Sequence, residues 1–234
     1  MLRYVIDLLY PSKPKCDICG SVGTVNPCDI CMASLDYLQG VTCLHCGKQL
    51  NEKYPKSICP DCRDGIFHYD RAYSCFAYSG MGKELIHKFK YEGKTQLSKV
   101  IAGLMEERLR NEVLSIDAIV PVPIHENKLR TRGFNQSLFI ARELAGRLRK
   151  PVSDCLLRTK ETKVQYNLDK AQRYLNIVDA FSIKLLYNND KNKSILLVDD
   201  IYTTGSTVNE CSRVLREFGA RNIYVITAAT GSNT

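Results

Sequence analysis

The sequence has no tryptophan and only four histidines and four methionines in 234 residues. His68, His87 and His125 have no partner at a spacing that marks a metal centre or an acid–base pair. His45 falls between two cysteines and reads as a turn residue facing solvent. No apolar run approaches the ~20 residues that cross a bilayer, which argues against membrane insertion. The opening MLRYVIDLLYPSKPK carries Asp7 and lacks a small-residue cleavage site, so it reads as a short helix ended by Pro11 rather than a secretion signal. A cytoplasmic protein is expected. Two phosphate signatures are missing as well: there is no complete G-x-x-x-x-G-K-[ST], since Gly93-Lys94-Thr95 has Lys88 where the first glycine belongs, and no G-x-G-x-x-G follows a strand. P-loop and dinucleotide-type sites are therefore excluded.

What the chain does have is cysteine and positive charge. Eight of its 11 cysteines form four C-x-x-C pairs: Cys16/Cys19, Cys28/Cys31, Cys43/Cys46 and Cys59/Cys62. Each pair sets two thiolates on one side of a tight turn, and two pairs close a tetrahedral cage that suits zinc. Disulfides are disfavoured without a secretory signal. Two structural Zn²⁺ sites are expected, pairing 16/19 with 28/31 and 43/46 with 59/62. The spacing leaves open a cross-braced arrangement, 16/19 with 43/46 and 28/31 with 59/62. Cys75, Cys155 and Cys211 lie in apolar patterns and read as small core residues.

The net charge of +8 is unevenly spread. Residues 1–70 hold 7 Lys/Arg and 8 Asp/Glu, whereas residues 128–173 hold 12 and 4. Such an excess suits a polyanion: a diphosphate, a nucleic-acid backbone, or both. From Arg71 onward strands and helices alternate. Apolar segments at Ala72–Tyr78, Ala118–Val122, Ile195–Val198 and Ile223–Ala228 read as strands. Helical stripes run through Leu85, Ile86 and Phe89 to a stop at Gly93, then from Leu97 to Leu109 and from Ile140 to Leu148. The pattern predicts an α/β fold with a parallel sheet and flanking helices. A zinc-binding module over residues 1–70 precedes it, with the α/β domain over 71–234.

The most informative segment is SILLVDDIYTTGSTV, residues 194–208. A buried strand, the pair Asp199–Asp200, the hydroxyl-rich run Thr203-Thr204-Gly205-Ser206-Thr207 and a helix start follow one another. Free backbone N–H groups and the helix dipole favour a phosphate at such a turn. Two carboxylates beside it can accept hydrogen bonds from the vicinal hydroxyls of a ribose. The plainer reading is a capped turn, with Thr207 as N-cap and Glu210 three residues on.

This segment resembles the phosphoribosyl-diphosphate (PRPP) loop of type I phosphoribosyltransferases. With Lys90-Tyr91 before Gly93, Pro121-Val122-Pro123, Arg132-Gly133-Phe134-Asn135-Gln136-Ser137, the set Gln165, Leu168, Arg173, Asn176, Ala180-Phe181, and the paired cysteines, the chain resembles the ComF family of competence proteins. The resemblance implies a type I phosphoribosyltransferase-like sheet with a zinc-ribbon-like module in front. It also implies that Asp199 and Asp200 act on the ribose and that Thr203 to Thr207 hold the 5-phosphate. Pro121, Val122, Pro123, Arg132, Gly133, Asn135 and Gln136 would face the diphosphate, carried with Mg²⁺. Lys160, Gln165 and Arg173 would belong to a lid over residues 157–180. The implied role is handling of single-stranded DNA during DNA uptake. Two alternatives are an active transferase with an unknown acceptor, and a zinc-stabilised docking partner of an uptake helicase or membrane pore. Past residue 228 no segment offers a hood for an acceptor base, so a phosphoribose pocket without an evident base site is expected. Phe89, Tyr91, Phe134 and Tyr166 are aromatic candidates for base stacking, although core packing is the commoner fate of such residues.

Overall fold

Runs of β-branched and aliphatic residues, separated by amphipathic stretches, set the order of elements. A computed structural model describes residues 14–23, 26–50, 57–161, 177–184 and 191–231. In chain order these are α1 (Asp29–Ala33), β1 (Arg71–Ala77), α2 (Gly80–Tyr91), α3 (Leu97–Leu109), β2 (Ala118–Pro121), α4 (Glu126–Arg132), α5 (Gln136–Leu148), β3 (Leu156–Arg158), β4 (Phe181–Ile183), β5 (Ser194–Tyr202), α6 (Ser206–Glu217) and β6 (Asn222–Thr230). The helix expected before Pro11 lies outside the described residues.

The central sheet is parallel throughout, in the order β1-β6-β5-β2. Its strands are apolar on both faces because both faces are covered. Along β5, Leu196 and Val198 join one core, and Ile195 and Leu197 the other. The first core contains Phe89 of α2, Ile101 and Met105 of α3, and Ile140 and Leu144 of α5. The second contains Val208, Cys211 and Leu215 of α6 together with the antiparallel pair β3–β4. Cys75, Cys155 and Cys211 are buried in these cores.

Two differences from the sequence reading concern the site. First, β5 does not stop at Val198. It runs on through both aspartates, because Asp199 pairs with Thr227 and Tyr202 with Thr230 of β6. A neighbouring strand can extend an element past residues whose own propensity is poor. Second, residues 126–132 form the short helix α4, which no apolar stripe in the sequence marks. Gly133 ends it at φ 83°, and Asn135 caps the next helix by accepting from Ser137 N at 3.0 Å. A left-handed backbone there is open to glycine at little cost.

The cysteine-rich segment is joined to the sheet rather than hung beside it. Leu38 N donates to Cys75 O (3.0 Å), Ala77 N to Asp36 O (2.8 Å) and Ala72 N to Leu44 O (2.9 Å). These bonds cover the free side of β1, the edge at which open backbone groups would otherwise invite pairing.

Phe89 is fully buried, and its ring lies 5.8 Å from that of Phe134. Phe89→Ala is expected to lower unfolding stability by about 3–5 kcal/mol, read as a drop in denaturant midpoint. Leu157→Ala, at a position 48% exposed, should shift the same midpoint far less.

Candidate functional site

The eight paired cysteines gather into two clusters, Cys16/Cys19/Cys28/Cys31 and Cys43/Cys46/Cys59/Cys62. The pairing is therefore sequential and not cross-braced. Within each cluster the ligand atoms all lie within 4.8 Å of one another. Cys16–Cys31, Cys19–Cys28 and Cys46–Cys59 have Sγ–Sγ separations of 3.9, 3.7 and 3.6 Å. Four sulfurs at ~2.3 Å from one tetrahedral ion sit about 3.8 Å apart, so both clusters fit structural Zn²⁺. His45 does not face solvent as expected. Its ring stacks on Phe67 at 4.3 Å, and its Nδ1 is buried.

The carboxyl ends of β2 and β5 open into a cleft of about 340 Å³. Crevices at this end of parallel strands are the usual ligand positions in such sheets. On one wall stand Asp199 and Asp200. Asp199 Oδ1 accepts from Ser137 Oγ and from Asp200 N, each at 2.9 Å. Asp200 is paired with Lys90 Nζ of α2 at 2.7 Å. The same cleft is lined by Lys128 and Arg132 of α4, and by Arg158 of β3. Lys128 and Arg132 are four residues apart, so one face of α4 presents both. Arg130 lies off that face, exposed and paired with Glu126 at 2.6 Å. Arg132 also bonds Gln136 Oε1 at 2.6 Å and lies over the Tyr91 ring at 5.0 Å.

Burial raises the pKa of Asp199 to about 7, and the neighbouring Asp200 carboxylate adds to the shift. Burial works against the charge on Lys90, but the Asp200 and Asp199 carboxylates outweigh it and hold the ammonium above its ordinary range. For Lys128 burial and the nearby Arg158, Arg132 and Lys90 act together, and its pKa is depressed. The cleft thus holds crowded cations beside a carboxyl group, Asp199, that is only partly ionised at neutral pH. An anion bound between them relieves the first, and hydroxyl donors satisfy the second.

The hydroxyl run divides over two sides of the turn. Thr203, Gly205 and Thr207 line the cleft. Thr204 and Ser206, whose hydroxyls lie 2.9 Å apart, line an adjoining cavity instead. Gly205 is the N-cap of α6, in place of Thr207, and has φ 80°. A Cβ there would fall 2.1 Å from Tyr202 Oη, so the turn accepts only glycine. Glu210 takes no part in a capping box. It accepts from Asp179 N at 2.9 Å and pairs with Arg213 at 2.6 Å.

Among the other expected residues, Val122, Pro123, Arg132 and Gln136 reach the cleft. Pro121 is buried in β2. Gly133 and Asn135 shape the α4–α5 junction, and Asn135 Nδ2 donates to Val122 O at 3.1 Å. Lys160 points away, with Nζ donating to Val178 O at 3.2 Å. Gln165, Arg173 and Tyr166 lie outside the described residues. Phe89 and Phe134 are buried in the core, and Tyr91 is 64% exposed at the cleft. Lys90 and Ser137 stand in the motifs of the resemblance with no role assigned to them, and Arg158 stands outside those motifs. For Arg158 a signal existed, since strand alternation after buried Leu156 turns residue 158 to the same face.

Comparison with known proteins identifies the two parts of the chain and its relatives. The profile of a double zinc ribbon domain matches residues 5–71, and that of a phosphoribosyl transferase domain matches residues 91–233. Competence protein F of Haemophilus influenzae is 31% identical over 189 residues, covering 78% of this chain and 82% of that protein. Competence protein ComFC of Streptococcus pneumoniae is 30% identical over 201 residues, 84% of either chain. DNA utilization protein YhgH of Escherichia coli K12 is 27% identical, covering 73% and 82%. Among solved structures, adenine phosphoribosyltransferase of Trypanosoma brucei aligns over 58% of this chain and 53% of that one, at 14% identity and a TM-score of 0.38.

Native mass spectrometry is expected to find two zinc ions per chain, and one after Cys43→Ser/Cys46→Ser. Asp199 supplies a second test. Its pKa of about 7 in the fold lies above the ~3.9 of an unfolded chain. Its contribution is therefore fully favourable below about pH 4 and is lost as pH rises through about 7. Melting curves of Asp199→Asn should gain on wild type between pH 5 and pH 8; a constant difference would contradict the raised pKa.

Proposed function

Because the chain belongs to the family of competence protein F and ComFC, we propose that it is a competence-associated cytoplasmic protein that binds a PRPP-type ligand in its β5 cleft and handles single-stranded DNA during DNA uptake. The observation that carries this reading is that Asp199 and Asp200 line one cleft together with Lys90, Lys128, Arg132 and Arg158. A sugar phosphate needs both kinds of wall. In this reading the carboxylates accept the ribose hydroxyls, and the turn from Thr203 to Thr207 receives the 5-phosphate. Arg132, Gln136 and the loop Pro121–Pro123 with Gly133 and Asn135 frame the diphosphate end. Lys160, Gln165 and Arg173 form a lid. Residues 1–70 are the zinc module and 71–234 the ligand-binding domain.

A second reading, transfer of ribose 5-phosphate to an acceptor, is favoured by the number of cations. Four exceed what a single phosphate requires and suit a departing diphosphate. The C1–O bond would break with its electron pair staying on the diphosphate, where Lys128, Arg132 and Arg158 stabilise the charge. Mg²⁺ would arrive with the diphosphate and neutralise part of it. Asp199 and Asp200 would keep the ribose oriented while the ring carbon becomes cationic.

Calorimetric titration of PRPP with Mg²⁺ should give binding to wild type that is lost in Asp199→Asn/Asp200→Asn. No binding to either protein would defeat the ligand reading, and diphosphate release dependent on an acceptor would support the transferase. For DNA, Lys128→Ala/Arg132→Ala should weaken oligonucleotide binding and reduce its salt slope by about 1.4 for two lost phosphate contacts. An unchanged slope would move the DNA path away from the cleft.

A further inference from the structure

The turn that bounds the cleft also bounds a second, larger cavity of about 910 Å³. Tyr202, Thr203 and Gly205 line both spaces, so the phosphate turn is the partition between them. The far wall is the segment leaving the second cysteine cluster, Ile66, Phe67 and His68. That wall is fixed in place. Asn209 of α6 donates from Nδ2 to Ile66 O at 3.0 Å and accepts from His68 N at 2.8 Å. The Phe67 ring lies parallel to His45 at 4.3 Å, with its edge toward Tyr69 at 5.5 Å. The Ile66 side chain is 80% exposed.

The charges here differ from those of the cleft. Lys48 is engaged by Asp61 at 3.2 Å, Asp64 adds a negative charge, and Cys46 and Cys62 belong to a thiolate cage that is net negative when it holds Zn²⁺. A second phosphate is therefore disfavoured in this cavity. A flat, uncharged group with an apolar face fits it. The volume is of the size that holds a whole ligand fragment.

We infer that the phosphate at the turn is a diester, and that the cleft takes the 3′-terminal nucleotide of a single strand. This rests on the reading of the cleft as a ribose-phosphate site. The 5′-phosphate of that nucleotide sits on the partition, and the base of the preceding nucleotide enters the second cavity against Ile66 and Phe67. The terminal position follows from the carboxylates. Asp199 and Asp200 can accept only from a free hydroxyl, and an internal nucleotide would bring its 3′-phosphate against them. A DNA end offers the 3′-hydroxyl, and an RNA end the 2′-hydroxyl as well.

The test is calorimetric titration of the zinc-loaded full chain with four probes: ribose 5-phosphate, thymidine 5′-monophosphate, the dinucleotide TpT, and TpT carrying a 3′-phosphate. TpT should bind about 5- to 150-fold tighter than the mononucleotide, the gain from one stacked base. The 3′-phosphate should abolish that gain. Ile66→Glu should bring TpT toward mononucleotide affinity. TpT no tighter than thymidine 5′-monophosphate, or unaffected by a 3′-phosphate, overturns the inference while binding of ribose 5-phosphate leaves the cleft reading intact. Failure of all four probes overturns both. UpU in place of TpT separates the two sources, since a tighter UpU marks an RNA end and equal affinity an end read without the 2′-hydroxyl.

Discussion

Two tyrosine hydroxyls, 2.8 Å apart and buried, hold the halves of this protein to one another. Tyr69 donates to His45 O at 2.6 Å, inside the second cysteine knuckle, so it accepts from Tyr202 at the end of β5. Tyr202 in turn fills the space that forces residue 205 to be glycine. A continuous chain of contacts therefore runs from a metal-ligating turn, through two neutral hydroxyls, to the backbone expected to face a phosphate. Burial raises both phenol pKa values, which keeps the protons that the bonds require. The knuckle's fold, the end of the sheet and the shape of the turn are conditions for one another.

The cleft shows the same economy in charge. Clustering Lys90, Lys128, Arg132 and Arg158 destabilises the empty fold through mutual repulsion, and seating Asp199 beside Asp200 adds a like-charge contact of the opposite sign. Lys90 and Asp200 resolve part of this by direct pairing. Such arrangements are poor for stability and good for recognition, since a ligand with complementary charge meets groups already desolvated and aimed. Ser137 and the capped α4–α5 junction keep the aspartate and the cationic helix in register with each other.

The sheet and both cysteine clusters were legible because each leaves a local trace. Ile195–Val198 is continuously apolar, and C-x-x-C pairs recur at short intervals. Asp199, Asp200 and the hydroxyl turn were legible for the same reason. What escaped depends on contacts distant in sequence. Lys90 matters through Asp200, 110 positions away, and although the motif Lys90-Tyr91 marked its place, only that distant contact gives it a role. Helix α4 is polar and carries no buried residue, so no apolar stripe announced it. The extension of β5 through its aspartates is imposed by β6, and the division of the hydroxyl turn between two cavities by the segment after Cys62. His45 was assigned to solvent because its partner, Phe67, is supplied by the chain only after the second cluster has closed.

The strand order carries a consequence for how the molecule comes into being. Among the described residues β1 has one sheet neighbour, β6, and the two are separated by the whole α/β sequence. A nascent chain can close its cysteine knuckles while the ribosome is still reading the helices, since those contacts are local. The strand that follows the knuckles has no such early partner and must wait for the last strand to emerge. Loop closure over that distance is slow by topology alone. During synthesis the bonds from Asp36, Leu38 and Leu44 can already shelter one edge of β1 while the other waits for β6, so the metal-binding segment supports the growing chain before it serves the finished one as a wall.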